Sequence, residues 1–123
     1  MTSLGTAIFT LAFGKKVGAD EFGNKYYKTG AFSKQIGRYG KERRWVIYNG
    51  KAEASKIPPL WHGWIHFSFD DVPQEKDGKK NNSWQKPHLP NLTGTSYSYL
   101  PPGHTDRGGN REKATGDYTP WQP

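Results

Sequence analysis

The apolar positions of this chain keep no single period. In residues 2–13, Leu4, Ile8 and Leu11 recur at helical spacing while Thr2, Thr6 and Thr10 fall four apart on another face. That pattern predicts a short amphipathic helix capped by Thr2 or Ser3. Residues 17–27 read as a hairpin: Phe22-Gly23-Asn24 supplies turn chemistry, and Lys25-Tyr26-Tyr27 returns with rings that favour extended backbone. From Arg43 to Tyr48 the alternation of Trp45 and Ile47 with Arg44, Val46 and Tyr48 has the period of a half-buried strand. Together these runs predict a short three-stranded antiparallel sheet, about the minimum for an independent nucleus.

Beyond the sheet, Ser55 is positioned to cap a turn and Pro58-Pro59 opens a helix whose Leu60, Trp61, Trp64 and Ile65 form one aromatic-rich face. Asp70, Asp71 and Pro73 close that element, and a polar loop follows over residues 74–83. Residues 86–123 hold six Pro and five Gly, a composition that forbids long regular elements. Against it Tyr97, Tyr99, Tyr118 and Trp121 stand as isolated rings, as does Trp84 just before, in the manner of anchors on an extended arm. The fold class expected is small α+β: the sheet, short helices and a long irregular C-terminal arm. The divisions expected are a helix over 1–14, a core over 15–84 and a partner-binding arm over 85–123.

Composition turns this picture toward a partner. Leu, Ile, Val and Phe number twenty of 123 residues, about 16%, too few for an ordinary core, while aromatic residues are plentiful. Such a chain is expected to be ordered by an assembly. The net charge of +7 lies wholly in residues 1–60, with cations that include Lys15, Lys16, Lys34, Arg38, Lys41, Arg43 and Arg44, which favours steering to an acidic surface. Residues 2–13 then either fray, dock on protein or lie at a bilayer surface beside the following lysines. No run approaches the roughly 20 apolar residues of a membrane span, and the early apolar stretch lacks the preceding cations of a secretory signal.

Catalytic chemistry finds little support. The absence of Cys removes thiolate nucleophiles, disulfides and Cys-based metal centres. His62 and His66 have the spacing of two ligands on one helix face, but Gly63 stands where a zinc protease places its general base, and only Asp70 or Asp71 offers a third ligand. Asp70, Asp71 and Glu75 read as solvated or capping acids. No catalytic residue, metal or cofactor is expected. Basic and aromatic residues interleave at Lys25-Tyr26-Tyr27-Lys28 and Arg43-Arg44-Trp45, which keeps a basic RNA-binding protein as a further alternative; no RNA-binding signature accompanies them.

Several motifs together carry a resemblance. Val17-Gly18-Ala19-Asp20-Glu21-Phe22-Gly23-Asn24-Lys25-Tyr26-Tyr27, Arg44-Trp45-Val46-Ile47-Tyr48, Ile57-Pro58-Pro59-Leu60-Trp61-His62-Gly63-Trp64-Ile65-His66 and Asn91-Leu92-Thr93-Gly94-Thr95 occur in the order found in a small accessory subunit family of respiratory complex I, NADH:ubiquinone oxidoreductase. The chain resembles a bacterial member in its compact length. The resemblance implies a non-catalytic subunit of the peripheral arm near the membrane junction, whose partners are the subunits around the quinone site and the terminal iron–sulfur clusters. From the residues themselves, lipid headgroups are expected as an optional further contact for residues 2–16, and no nucleic acid is expected. The resemblance implies a peripheral location on the cytoplasmic face of the bacterial inner membrane, or the matrix side in a mitochondrion. A related assembly factor that shares the middle motifs is the alternative. The residues expected to bind partners are Arg43, Arg44, Trp45, Trp61, Trp64, Tyr97, Tyr99, Tyr118 and Trp121.

Overall fold

A computed structural model describes residues 2–30, 42–74 and 82–123. Lys34, Arg38, Lys41, Glu75 and most of the expected 74–83 loop lie outside the described residues. The chain divides into two units, Met1–Asn91 and Leu92–Pro123.

The first unit opens with helix α1, Leu4–Phe13. Ser3, one of the two expected caps, accepts a hydrogen bond from the Thr6 amide at 3.2 Å, satisfying one of the free donors of the first turn. Strand β1, Gly14–Ala19, follows without a linker and pairs antiparallel with β2, Lys25–Thr29. β2 in turn pairs antiparallel with β3, Arg44–Ile47, giving the order β1-β2-β3 and confirming the expected sheet. The turn between β1 and β2 is set by Asp20, whose Oδ1 accepts from the amides of Phe22 and Asn24, each at 2.9 Å. Gly23 supplies the positive φ of 84° that a β-carbon would resist.

Register assigns the side chains to two faces. Lys16, Tyr27 and Trp45 lie in register on one, with Gly14 opposite Thr29 on that same face; Gly18, Tyr26 and Val46 lie in register on the other. α1 packs on the first face: Phe9 meets Trp45 edge-on at 5.4 Å, and Trp45 Nε1 donates to the Thr10 hydroxyl at 2.9 Å. That hydroxyl donates onward to the Thr6 carbonyl at 2.7 Å, so the buried polar atoms are satisfied. A β-carbon on Gly14 would sit 2.5 Å from the Thr10 carbonyl and 2.9 Å from the Trp45 ring, which explains a glycine where helix and strand meet.

The second face carries the core. Helix α2, Pro59–Ile65, starts with proline at its first position and turns Trp61 and Trp64 onto Tyr26. Tyr26 stacks on Trp61 with ring centres 4.0 Å apart and planes within 5°, while Trp64 meets both rings nearly at right angles. Such offset and edge-on pairs add to the apolar area buried. Ile57 completes the buried set, with Val17, Val46, Tyr48 and Ile65 packed around it. Gly18 makes room here, since a β-carbon would lie 2.8 Å from Trp61. β3 was expected to have one buried face; all four residues are half-buried, because α1 covers one side and α2 the other. Ser55 lies within a 3-10 turn, Ala54–Lys56, instead of capping one; its hydroxyl donates to Glu53 and accepts from the Asn91 amide at 3.0 Å. His88 also reaches this turn, bonding the Ser55 carbonyl at 2.8 Å.

The second unit is built of turns. Its 3-10 turn, Thr105–Arg107, is capped by His104, and Arg111 forks onto the Asp117 carboxylate.

Candidate functional site

Of the nine residues expected to bind a partner, the fold separates three from the rest. Trp61 and Trp64 are core residues, Trp64 being 1% exposed. Arg44 is equally committed, with its side chain 3% exposed. Its guanidinium lies between the rings of Trp64 and Phe67, 4.7 and 4.3 Å from their centres. It donates to the carbonyls of Trp64 at 2.7 Å and Phe69 at 3.2 Å, and to the carboxylates of Asp70 at 2.7 Å and Glu42 at 3.0 Å. These three side chains hold β3 to the end of α2, leaving them almost no surface for another molecule. Phe67, at φ 59°, accepts a backbone conformation costly for its side chain, and the position brings its ring beneath Arg44.

Arg44→Lys is expected to lower stability by about 1–2 kcal/mol, because a single ammonium replaces a planar fork that both stacks and donates to four acceptors. Urea denaturation of the two proteins checks it; identical midpoints would show that charge alone suffices.

The remaining six are accessible to different degrees. Arg43 is exposed with its guanidinium 5.5 Å from the Phe9 ring centre, and Trp45 is half-buried, stacked over Tyr27 at 6.2 Å. Both border a groove of about 320 Å³ lined also by Gly5, Thr6, Phe9, Arg44 and Val46. Tyr97, Tyr99, Tyr118 and Trp121 belong to the second unit, and each is at least 80% exposed. A carboxylate held by an arginine stiffens the backbone that carries the last two. The Arg111 guanidinium keeps the Asp117 carboxyl below its ordinary range, helped by the Ala114 amide at 2.8 Å.

Two features escaped the sequence. One is a buried polar centre: Asp20 Oδ2 accepts from the Tyr26 hydroxyl at 2.7 Å and from Asn24 Nδ2 at 2.8 Å, and Asn24 Oδ1 accepts from the Asn49 amide at 2.9 Å. Burial, reinforced by the Asp20 hydrogen bond, raises the Tyr26 hydroxyl far above its usual range; burial also raises Tyr48. The other is the use of Arg44 as a staple. For metals, His62 and His66 stand side by side with ring centres 4.2 Å apart, but no group of three or more metal-ligating side chains occurs among the described residues. Nor is any helix among them long and apolar enough to cross a membrane.

What remains is a small scaffold presenting aromatic rings and cations to its surroundings. The family described as NADH ubiquinone oxidoreductase subunit NDUFA12 matches residues 14–123. The chain belongs to that family. A Dictyostelium discoideum relative named NADH dehydrogenase [ubiquinone] 1 alpha subcomplex subunit 12 is 38% identical over 104 residues, covering 81% of this chain and 70% of that protein. The Bos taurus protein of the same name is 39% identical over 97 residues, covering 72% of this chain and 63% of its own length. An uncharacterized protein of Rickettsia prowazekii is 35% identical over 97 residues, covering 76% of this chain and 93% of that protein. The chain thus spans about two thirds of the length of the two named relatives. The NDUFA12 match takes in the sheet, α2 and the second unit, and begins at Gly14, so α1 precedes it. Within the matched region the NDUFA12 motifs divide by role: Asp20 to Tyr26 builds the polar centre, and Pro58 to Trp64 builds the aromatic core.

Proposed function

We propose that this chain is a non-catalytic accessory subunit of respiratory complex I, bound to the peripheral arm near its junction with the membrane and supporting assembly of that arm. Its neighbours in this reading are the subunits around the quinone site and the terminal iron–sulfur clusters. The setting is the cytoplasmic face of a bacterial inner membrane, or the matrix side in a mitochondrion. The observation that carries the reading is the NDUFA12 match over residues 14–123, which takes in both units. Its structural support is the placement of four large rings at 80% exposure or more, a pattern typical of interface anchors and a solubility liability without a partner.

The test is co-migration. After gentle solubilisation of membranes, the chain is expected to run on a native gel in the band that oxidises NADH. Migration only with a smaller, inactive intermediate would assign it to the assembly-factor alternative, and migration with ribosomes to RNA binding. Trp121→Ala is expected to weaken attachment by about tenfold or more, the effect of removing a single interface anchor. An unchanged fraction in the assembled band would remove Trp121 from the interface.

A further inference from the structure

We propose that α1 is a membrane-surface anchor whose outward stripe of Leu4, Ile8 and Leu11 seats in the headgroup boundary of a bilayer containing anionic lipid. The proposal deepens the complex I reading and rests on it for its setting, though its test does not.

The stripe is exposed: Leu4 by 78%, Ile8 by 58% and Leu11 by 88%. Ala12, also exposed, flanks the stripe, and Leu4, Ile8 and Leu11 offer no hydrogen-bonding or charged side chain to specify a partner protein. Its rotation is fixed, because Phe9 and Thr10 hold the opposite face against Trp45. A helix of ten residues is about 15 Å long, half the thickness of a bilayer core, so it lies along a membrane and does not cross it.

Charge selects the occupant. No acidic residue occurs before Asp20, while Lys15 and Lys16 follow the helix directly and are exposed. In register, Lys16 shares the sheet face that α1 covers, and Arg43 reaches the same place over Phe9. An apolar stripe on a helix that is followed by two exposed lysines, with no acid before Asp20, matches an anionic surface. A second copy of this chain is a poor occupant, since the interface would bring together two molecules of net charge +7.

The experiment uses the purified full chain and flotation with vesicles of phosphatidylcholine alone or with added phosphatidylglycerol. Binding is expected to the anionic vesicles and to fall with salt. Leu4→Ser/Leu11→Ser is expected to weaken it by more than tenfold with an unchanged thermal melt, and Lys15→Gln/Lys16→Gln by roughly thirtyfold. Leu89→Glu, another exposed apolar site in the same unit, is expected to change nothing. Absence of binding, equal binding to both vesicles, or insensitivity to the leucine pair would each overturn the proposal. So would self-association that the leucine pair abolishes, or a photo-crosslinker at position 8 that labels protein instead of lipid in membranes. Flotation without co-migration with NADH oxidation would sink the complex I reading and leave this one standing; co-migration without flotation would do the reverse.

Discussion

Trp64→Ala is expected to lower the free energy of unfolding by about 3–5 kcal/mol, a large share of the roughly 5–15 kcal/mol that holds a typical domain. The ring is 1% exposed and links three elements: it meets Tyr26 from β2 and Trp61 from α2 edge-on, and lies beneath the Arg44 guanidinium from β3. Its neighbours cannot collapse into the space, because the stacked Tyr26–Trp61 pair is fixed by register on one side and by the helix on the other. Deletion also strips one face from the guanidinium sandwich, so the loss exceeds that of apolar area alone. Urea denaturation followed by circular dichroism reads the change, and a loss below 1 kcal/mol would show that the core is not organised around this ring. Paired with Trp121→Ala, the experiment separates two ways of leaving an assembly. The core variant is expected to detach because it unfolds; the variant in the second unit is expected to detach with its melting temperature unchanged.

That separation was only half legible in the sequence. The helical spacing of Trp61 and Trp64 announces one aromatic face, yet spacing cannot say whether that face meets the chain's own sheet or another protein. The missing sign was glycine. Gly18 lies in a strand facing Trp61, and a glycine inside a strand signals that a bulky group approaches closely there. Arg43 and Arg44 were grouped as charged contacts, although the period of a strand sends neighbours to opposite faces; Arg43 goes toward α1 and Arg44 toward α2. The start of β1 was invisible because Gly14-Lys15-Lys16 has little strand propensity, and pairing with Thr29, Lys28 and Tyr27 overrides it. What periodicity and turn chemistry state outright, namely α1, the β1–β2 turn, β3 and the proline-led α2, they stated correctly. The four exposed rings of the second unit were recognisable because only Leu92 and Leu100 accompany them as large aliphatic residues, too few to form a core.

Asp20→Ala is expected to cost about 3 kcal/mol, through groups that no hydrophobic pattern reveals. One carboxylate holds the turn amides of Phe22 and Asn24, the Asn24 side chain and the Tyr26 hydroxyl. Tyr26 is fully buried and Asn24 1% exposed, so removal of the acceptor leaves two buried donors without their protein partner. Tyr26→Phe removes one of those donors together with its need, and the double variant Asp20→Ala/Tyr26→Phe is therefore expected to be less destabilised than the two single losses added together. Strict additivity in a double-mutant cycle would mean the two groups do not interact. The same burial gives a pH dependence. Tyr26 has its folded-state pKa raised far above the ordinary value of 10.0, so the native hydroxyl keeps its proton while the unfolded chain loses it. Below pH 10 this group contributes no slope; above it the unfolded state binds fewer protons, and stability falls by roughly 1.4 kcal/mol for each further pH unit. Tyr26→Phe is expected to flatten that alkaline limb, apart from the smaller share of Tyr48, whose pKa burial also raises. An alkaline limb that survives unchanged in Tyr26→Phe would place its origin elsewhere and detach the buried hydroxyl from the stability of the sheet.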